Sequence, residues 1–183
     1  MDVAIIGDGP GGLSAALYLA KNGLEAVVFG EDQTAMHWAQ IKNYLGVPEM
    51  HGSEFQKNAR RQVEGFGARI EPRHVEKVER SGAGFQLTLK GGDVVSARFV
   101  ILSEGKAPRL ATQLGLALEG TAAVTDRNGA TSVPGVYAVG RLARPNRSQA
   151  IISAGDGAVA ALDILSKEKG KPFTDWDSPP KST

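Results

Sequence analysis

The stretch IIGDGPGGLSAALYLAKNGLEAVVFGE, residues 5–31, decides the fold. It reads as strand, glycine turn, helix and strand, with Gly7, Gly9 and Gly12 in the GxGxxG spacing of a dinucleotide-binding turn. Each glycine answers a steric demand. Gly7 lets the chain leave the apolar strand Val3-Ala4-Ile5-Ile6 in a tight turn, Gly9 lets backbone N–H groups approach a pyrophosphate, and Gly12 lets the helix pack close on the sheet. The helix is predicted over 13–21, with Leu13, Ala16, Leu17 and Ala20 on one face, and it aims its N-terminal partial positive charge at the phosphates. Asn22-Gly23 closes it, and Ala26-Val27-Val28-Phe29 supplies a second parallel strand. An acidic residue normally follows that strand to hold ribose hydroxyls. Gly30 stands there instead, so Glu31, one place later, is the candidate; the alternative for Glu31 is a solvated loop charge.

Outward from this unit, residues 33–48 read as a polar loop containing Asn43. A helix follows, with Ser53 as its N-cap and Glu54 and Gln56 in its first turn, ending near residues 65–67. Its Lys57, Arg60, Arg61 and Glu64 form a charged face that is expected to be solvated. Ala68-Arg69-Ile70-Glu71 reads as the next parallel strand. The period then changes: segments 75–80, 85–90 and 94–98 nearly alternate and are separated by glycine turns, the pattern of an antiparallel meander. Phe99-Val100-Ile101-Leu102 returns to the main sheet, Val124-Thr125-Asp126 is a possible short strand, and a second glycine-bearing strand, TSVPGVYAVGR (131–141), precedes a long helix over about 149–166. The fold class is α/β, a single Rossmann-like domain over 1–170 combining a parallel sheet, helices and a meander. Residues 171–183 form a tail expected to be loosely held, in which Trp176 could dock on the body or on a partner subunit.

With 21 basic and 20 acidic side chains the formal charge is +1, which gives no electrostatic footprint for nucleic acid or a membrane surface. The longest apolar runs fall short of a bilayer span and the chain opens directly on a strand, so a soluble, cytoplasmic protein is expected. The absence of cysteine removes disulfides, thiolate metal sites, a CxxC redox pair and a cysteine nucleophile. His37, His51 and His74 lack metal-ligand spacing and are expected at the surface or in caps. No acid–base pair or nucleophile presents itself, so no catalytic residue is assigned and no metal is expected.

The two glycine strands occur together with Lys42-Asn43-Tyr44-Leu45-Gly46, Leu102-Ser103-Glu104-Gly105, Ser148-Gln149-Ala150 and Ala154-Gly155-Asp156-Gly157. In this order they resemble the FAD-binding domain of the thioredoxin reductases, over nearly the whole chain. The resemblance implies FAD and not NAD, because a plain NAD domain has no counterpart of the second glycine strand. It implies that Asp8, Gly9, Pro10 and Gly11 lie along the pyrophosphate and that Val75 meets adenine through its backbone. Asn43 would lie beside the flavin ring, with the backbone N–H groups at Gln149-Ala150 facing flavin O2 and N1, where reduction places negative charge. Gly105 would end the strand that bears the family's Ala-Thr-Gly, and a homodimer is expected.

Three departures qualify the resemblance. The family inserts an NADPH domain where this chain has only 18 residues, 106–123, too few for a second nucleotide fold. The family's redox cysteine pair lies in that insert, and its Gly-Asp, whose carboxylate holds the ribityl chain, stands here as Gly140-Arg141. Arg141, Arg144 or Arg147 could pair with the pyrophosphate, or all three could be surface charge. The leading expectation is a single-domain flavoprotein oxidoreductase that takes electrons from a separate donor, a protein or a small molecule. A non-catalytic FAD module (carrier, sensor or regulatory subunit) is the first alternative, and an NAD-binding dehydrogenase the second.

Overall fold

The computed structural model describes residues 1–179. β1 (Val3–Ile6) runs through the glycine turn into α1 (Pro10–Lys21), and β2 (Ala26–Phe29) returns beside it. A 3-10 turn (Ala35–Trp38) and a small ribbon, β3 (Gln40–Ile41) with β4 (Met50–His51), lead to α2 (Gly52–Gly65) and β5 (Arg69–Glu71). The meander β6 (Val75–Ser81), β7 (Gly84–Leu89) and β8 (Val94–Ala97) precedes β9 (Phe99–Leu102). α3 (Arg109–Gln113), a second ribbon of β10 (Leu118–Glu119) and β11 (Ala122–Ala123), β12 (Val136–Ala138) and α4 (Ala150–Lys169) complete the described elements.

The main sheet is parallel throughout, in the order β12-β9-β1-β2-β5. Its central strands are apolar at every position because both faces are covered. Alternate residues therefore enter different cores. Val3, Ile5, Val28, Ile101 and Tyr137 face Leu13, Leu19, Val63 and Ile164 of the helices. Ala4, Ile6, Val27, Val100 and Leu102 face Val78, Phe85, Leu87 and Leu89 of the meander, giving three layers: helices, sheet, meander.

Close backbone approaches fix the geometry at the top of this sheet. A Cβ on Gly12 would come within 3.0 Å of Gly7 O, and one on Gly157 equally close to Gly11 O, where α4 crosses α1. Gly7 has a φ of +104°, and a Cβ there would strike the backbone of Ser103. The turn, the β9 end and helices α1 and α4 are thus held against one another by backbone contact.

Several local expectations need correction. α1 begins three residues earlier than the apolar period suggests, and Ala15 and Leu19, not Leu17 and Ala20, complete its fully buried face. Ser53 does not cap α2. The helix starts two residues earlier and His51 is the N-cap, its ring Nδ1 accepting from Ser53 N at 3.2 Å, while Ser53 Oγ meets His37 Nδ1 at 2.9 Å. Residues 124–126 form no strand; the preceding Ala122–Ala123 does. α4 runs on to Lys169, where Gly170 takes the left-handed C-cap with a φ of +64°. The tail is tied down through residue 177. Phe173 packs into the helix-side core, its N–H reaches Ser166 Oγ at 3.0 Å, and Lys21 pairs with Asp175 at 2.8 Å and with Asp177. Trp176 between those carboxylates is 83% exposed and does not dock on the body; residues 180–183 of the tail lie outside the described ones. The segment 106–123 holds only α3 and the ribbon, not a second nucleotide fold.

Candidate functional site

A cleft of 680 Å³ opens at the carboxyl ends of the parallel strands, where an open α/β sheet binds its ligands. It is bordered by Gly7, Asp8, Gly9, Pro10 and Gly11 of the first turn, Glu31 after β2, Asn43 of the rim loop and Val75 of the meander. Gly105 after β9, Gly140 and Arg141 after β12, and Gln149 and Ala150 at the start of α4 close it from the other side. Residues from both ends of the sequence therefore meet at one place. Gly12 is the exception among the residues singled out: it lies beneath the turn and serves packing.

Both long helices that open on this cleft do so without a side-chain cap. The N-cap of α1 is Gly9, in extended backbone, and Pro10 fills the first helical position, where its missing N–H costs nothing. The N-cap of α4 is Gln149, whose side chain turns away to accept from Asn43 Nδ2 at 2.8 Å. Neither helix carries an acidic residue in its first turn. A Cβ on Gly9 would meet no protein atom closer than Thr34 Oγ1 at 3.6 Å. It would occupy cleft space and not the protein's own.

The side chains around the turn form a network that sequence inspection did not find. Asp8 is 4% exposed; its Oδ2 accepts from Asp32 N at 3.0 Å and pairs with Arg60 of α2. Burial pushes the Asp8 carboxyl above the ordinary aspartate range, and the Arg60 charge opposes the shift. Arg60 is therefore not part of a solvated face. Fully buried Gln56, one helical turn before it, donates through Nε2 to Asp8 O at 2.6 Å. The i, i+4 spacing of Gln56 and Arg60 was the available signal, since it puts both on the face turned to the glycine turn.

Elsewhere on the rim, Glu31 Oε2 meets His74 Nδ1 at 2.9 Å. The carbonyl of Val75 already accepts from Arg109 Nη2 at 2.6 Å, which bears on the backbone role expected of it. Glu104 accepts the N–H groups of Leu110 and Ala111 at 2.9 and 3.0 Å and so closes the start of α3, its carboxyl pushed up by burial. Arg109 and Glu104 both border the cleft and were not anticipated. Of the three arginines near β12, Arg144 pairs with Asp156 at 3.0 Å, and the Arg147 guanidinium donates to Asn146 O. Arg141 borders the cleft, and its buried Nε has no hydrogen-bond partner among the described residues. Asp156, the carboxylate of the motif at 154–157 in α4, is taken by Gly140 N at 3.2 Å and by Arg144. An uncapped pair of helix starts, open space at Gly9 and an arginine without a carboxylate together fit an elongated anionic ligand.

No helix among the described residues is long and apolar enough to cross a membrane. The family model for pyridine nucleotide-disulphide oxidoreductases matches residues 1–71 and 45–158. The thioredoxin reductase of Streptomyces coelicolor is 32% identical over 171 residues, covering 91% of this chain and 50% of that protein. This chain thus spans about half the length of that relative, and less of others such as the thioredoxin reductase of Helicobacter pylori, at 37%. Among solved structures, a thioredoxin reductase from Gloeobacter violaceus superposes with a TM-score of 0.88 at 18% identity, covering 97% of this chain and 98% of that one. A ferredoxin-flavin thioredoxin reductase from Clostridium acetobutylicum does so with a TM-score of 0.81 at 18% identity, covering 92% and 97%. These structures share the fold described above. The match of the family model to most of the chain shows that the chain belongs to the pyridine nucleotide-disulphide oxidoreductase family.

Proposed function

We propose that the cleft holds FAD and that the chain is a flavoprotein oxidoreductase taking electrons from a separate donor. The observation that carries this reading is the convergence of two uncapped helix starts on one cleft, 680 Å³ in volume. An extended dinucleotide satisfies both at once, its pyrophosphate at one and a flavin ring at the other. In this reading the backbone of residues 8–11 lies along the pyrophosphate, and Val75 and Gly105 line the adenosine end. Asn43, held against Gln149, sits beside the ring; the Gln149 N–H expected to face the ring is given instead to Arg147 O at 2.8 Å, so the N–H of Ala150 at the start of α4 faces the ring edge that becomes negative on reduction. Arg141 places a positive charge on the same side of the cleft. When bound, the flavin supplies the electron-transfer chemistry; the chain's own residues bind, orient and polarise. The reading extends to a homodimer in the cytoplasm, with the exposed Trp38 and Leu45 as apolar surface for a second copy to cover.

The test is direct. The protein should purify yellow with about one non-covalent FAD per chain, released on denaturation and identified by chromatography. NAD, FMN or no nucleotide in folded protein overturns the assignment. A second reading, a non-catalytic FAD module, is favoured by Arg141 in place of the family's carboxylate and by the short, cysteine-free connection at 106–123. Bound flavin that is reduced and reoxidised with turnover by a donor supports the oxidoreductase; flavin that stays oxidised with every donor supports the module.

A further inference from the structure

The carboxylate expected after β2 is missing from its usual place, and the structure shows what fills that place. A Cβ on Gly30 would fall within 3.0 Å of Asp8 Cβ, Cγ and Oδ2. The Asp8 side chain therefore occupies the space into which a side chain at position 30 would project, so only one of the two positions can carry one. Glu31, the next carboxylate along, is engaged with His74 Nδ1 at 2.9 Å. Asp32 is turned back by a left-handed φ of +57°, a conformation non-glycine residues rarely adopt, and in it its N–H donates to Asp8 Oδ2.

We propose that Asp8, reaching from the glycine turn into the space beside Gly30, is the carboxylate that accepts the adenosine ribose hydroxyls. This rests on the reading of the cleft as an FAD site. Asp8 borders the cleft, and while Oδ2 is committed to Asp32 N and Arg60, no hydrogen bond to Oδ1 is found among the described residues. A carboxylate oxygen next to a nucleotide cleft is an acceptor for a vicinal diol and a repulsive neighbour for a phosphate. The site thus selects an adenosine with free ribose hydroxyls and rejects one bearing a 2′-phosphate. Arg60 makes this placement compatible with the adjoining pyrophosphate. Its guanidinium neutralises Asp8 from the α2 side, and Gln56 fixes the backbone of the same residue from one turn earlier on α2. The two substitutions, a glycine after β2 and an aspartate in the turn, then form one device: the acceptor is moved, not lost.

The experiment compares ADP with 2′,3′-dideoxy-ADP on FAD-depleted protein by calorimetric titration, with circular dichroism to verify folding. The wild type should prefer ADP by about tenfold, the scale of a hydrogen bond to a charged acceptor. Asp8→Asn should reduce that preference to about twofold or less, and Glu31→Gln should leave it intact. A wild type without preference, an Asp8→Asn protein that keeps it, or a Glu31→Gln protein that loses it each overturns the proposal. The Glu31→Gln arm decides the matter should Asp8→Asn not fold. Failure of the wild type to bind either FAD or ADP sinks the FAD reading itself, and the proposal with it. ADP binding with unchanged discrimination in Asp8→Asn sinks the proposal alone.

Discussion

The starts of α1 and α4, which open on the cleft without a side-chain cap, differ in kind from those of the other helical segments. At α2, His51 accepts from Ser53 N and Glu54 sits in the first turn; at α3, Glu104 accepts two N–H groups; at the 3-10 turn, Thr34 accepts from Met36 N. The protein itself satisfies the exposed donors of these segments. At α1 and α4 no side chain does so, although Thr34 and Ser153 are close by and Gln149 itself has a suitable acceptor. A helix end left open beside capped neighbours is not a local failure of sequence. In the proposed reading these are the donors that meet the ligand, and the glycine at position 9 keeps the space before them clear.

The largest test of that contrast is Gly9→Asp. The φ of −69° suits any residue and the nearest protein atom to a Cβ is 3.6 Å away, so aspartate fits and caps α1 as well as glycine or better. Stability of the FAD-free protein, followed by thermal melting, should change by less than about 1 kcal/mol. Affinity for FAD should fall by about a hundredfold or more, since a fixed carboxylate replaces an open donor beside the pyrophosphate. Retained affinity would mean the open start serves nothing. A large loss of stability would place Gly9 with Gly12 and Gly157, whose glycines are demanded by backbone packing.

The open starts themselves were legible in the sequence, and the reason is local. The turn, α1 and β2 lie within one short stretch, and buried parallel strands announce themselves as unbroken apolar runs. The glycine strand at β12 and the start of α4 were legible for the same reason. What surrounds them was not. Asp8 meets Arg60 across 52 positions and Asn43 meets Gln149 across 106; the i, i+4 spacing puts Gln56 and Arg60 on one face, but nothing local names the partner that face meets. Arg60 therefore resembled a solvated charge, and Asp8 a backbone position. Ser53 resembled a cap by residue type, but Gly52 tucks beneath Met36 O, and that close approach starts the helix earlier and hands the role to His51. The ties of residues 173–177 were hidden for the same reason, because their anchors, Lys21 and Ser166, belong to α1 and α4.

The closed starts supply the second test. His51→Ala removes the acceptor of Ser53 N at the head of α2, and a lost cap costs about 1 kcal/mol. For a chain of this size that lowers the melting temperature by about 2–4 °C. FAD affinity should be unchanged within about twofold, because α2 carries its cleft-shaping groups, Gln56 and Arg60, beyond the capped turn. An affinity loss larger than the stability loss would show that the closed start also serves the ligand, and the division between the two kinds of helix end would fail.

The smallest expected effect is at Arg141, which borders the cleft beside the open start of α4 with no carboxylate partner among the described residues. Its Nε is buried, but the side chain as a whole keeps some contact with solvent, so its charge acts through partial screening. If the guanidinium supplements the Ala150 N–H at the start of α4, Arg141→Ala should weaken FAD binding by about threefold. It should also lower the flavin reduction potential by on the order of 15 mV, which is about 0.7 kcal/mol for a two-electron couple. The sign follows from charge alone: reduction makes the ring edge more negative, and removing a nearby cation makes that change less favourable. Spectroelectrochemical titration of both proteins at equal FAD saturation measures it. An unchanged potential with weakened binding would assign Arg141 to the pyrophosphate end of the cleft and leave the α4 start to act through its backbone alone. A raised potential is incompatible with either position.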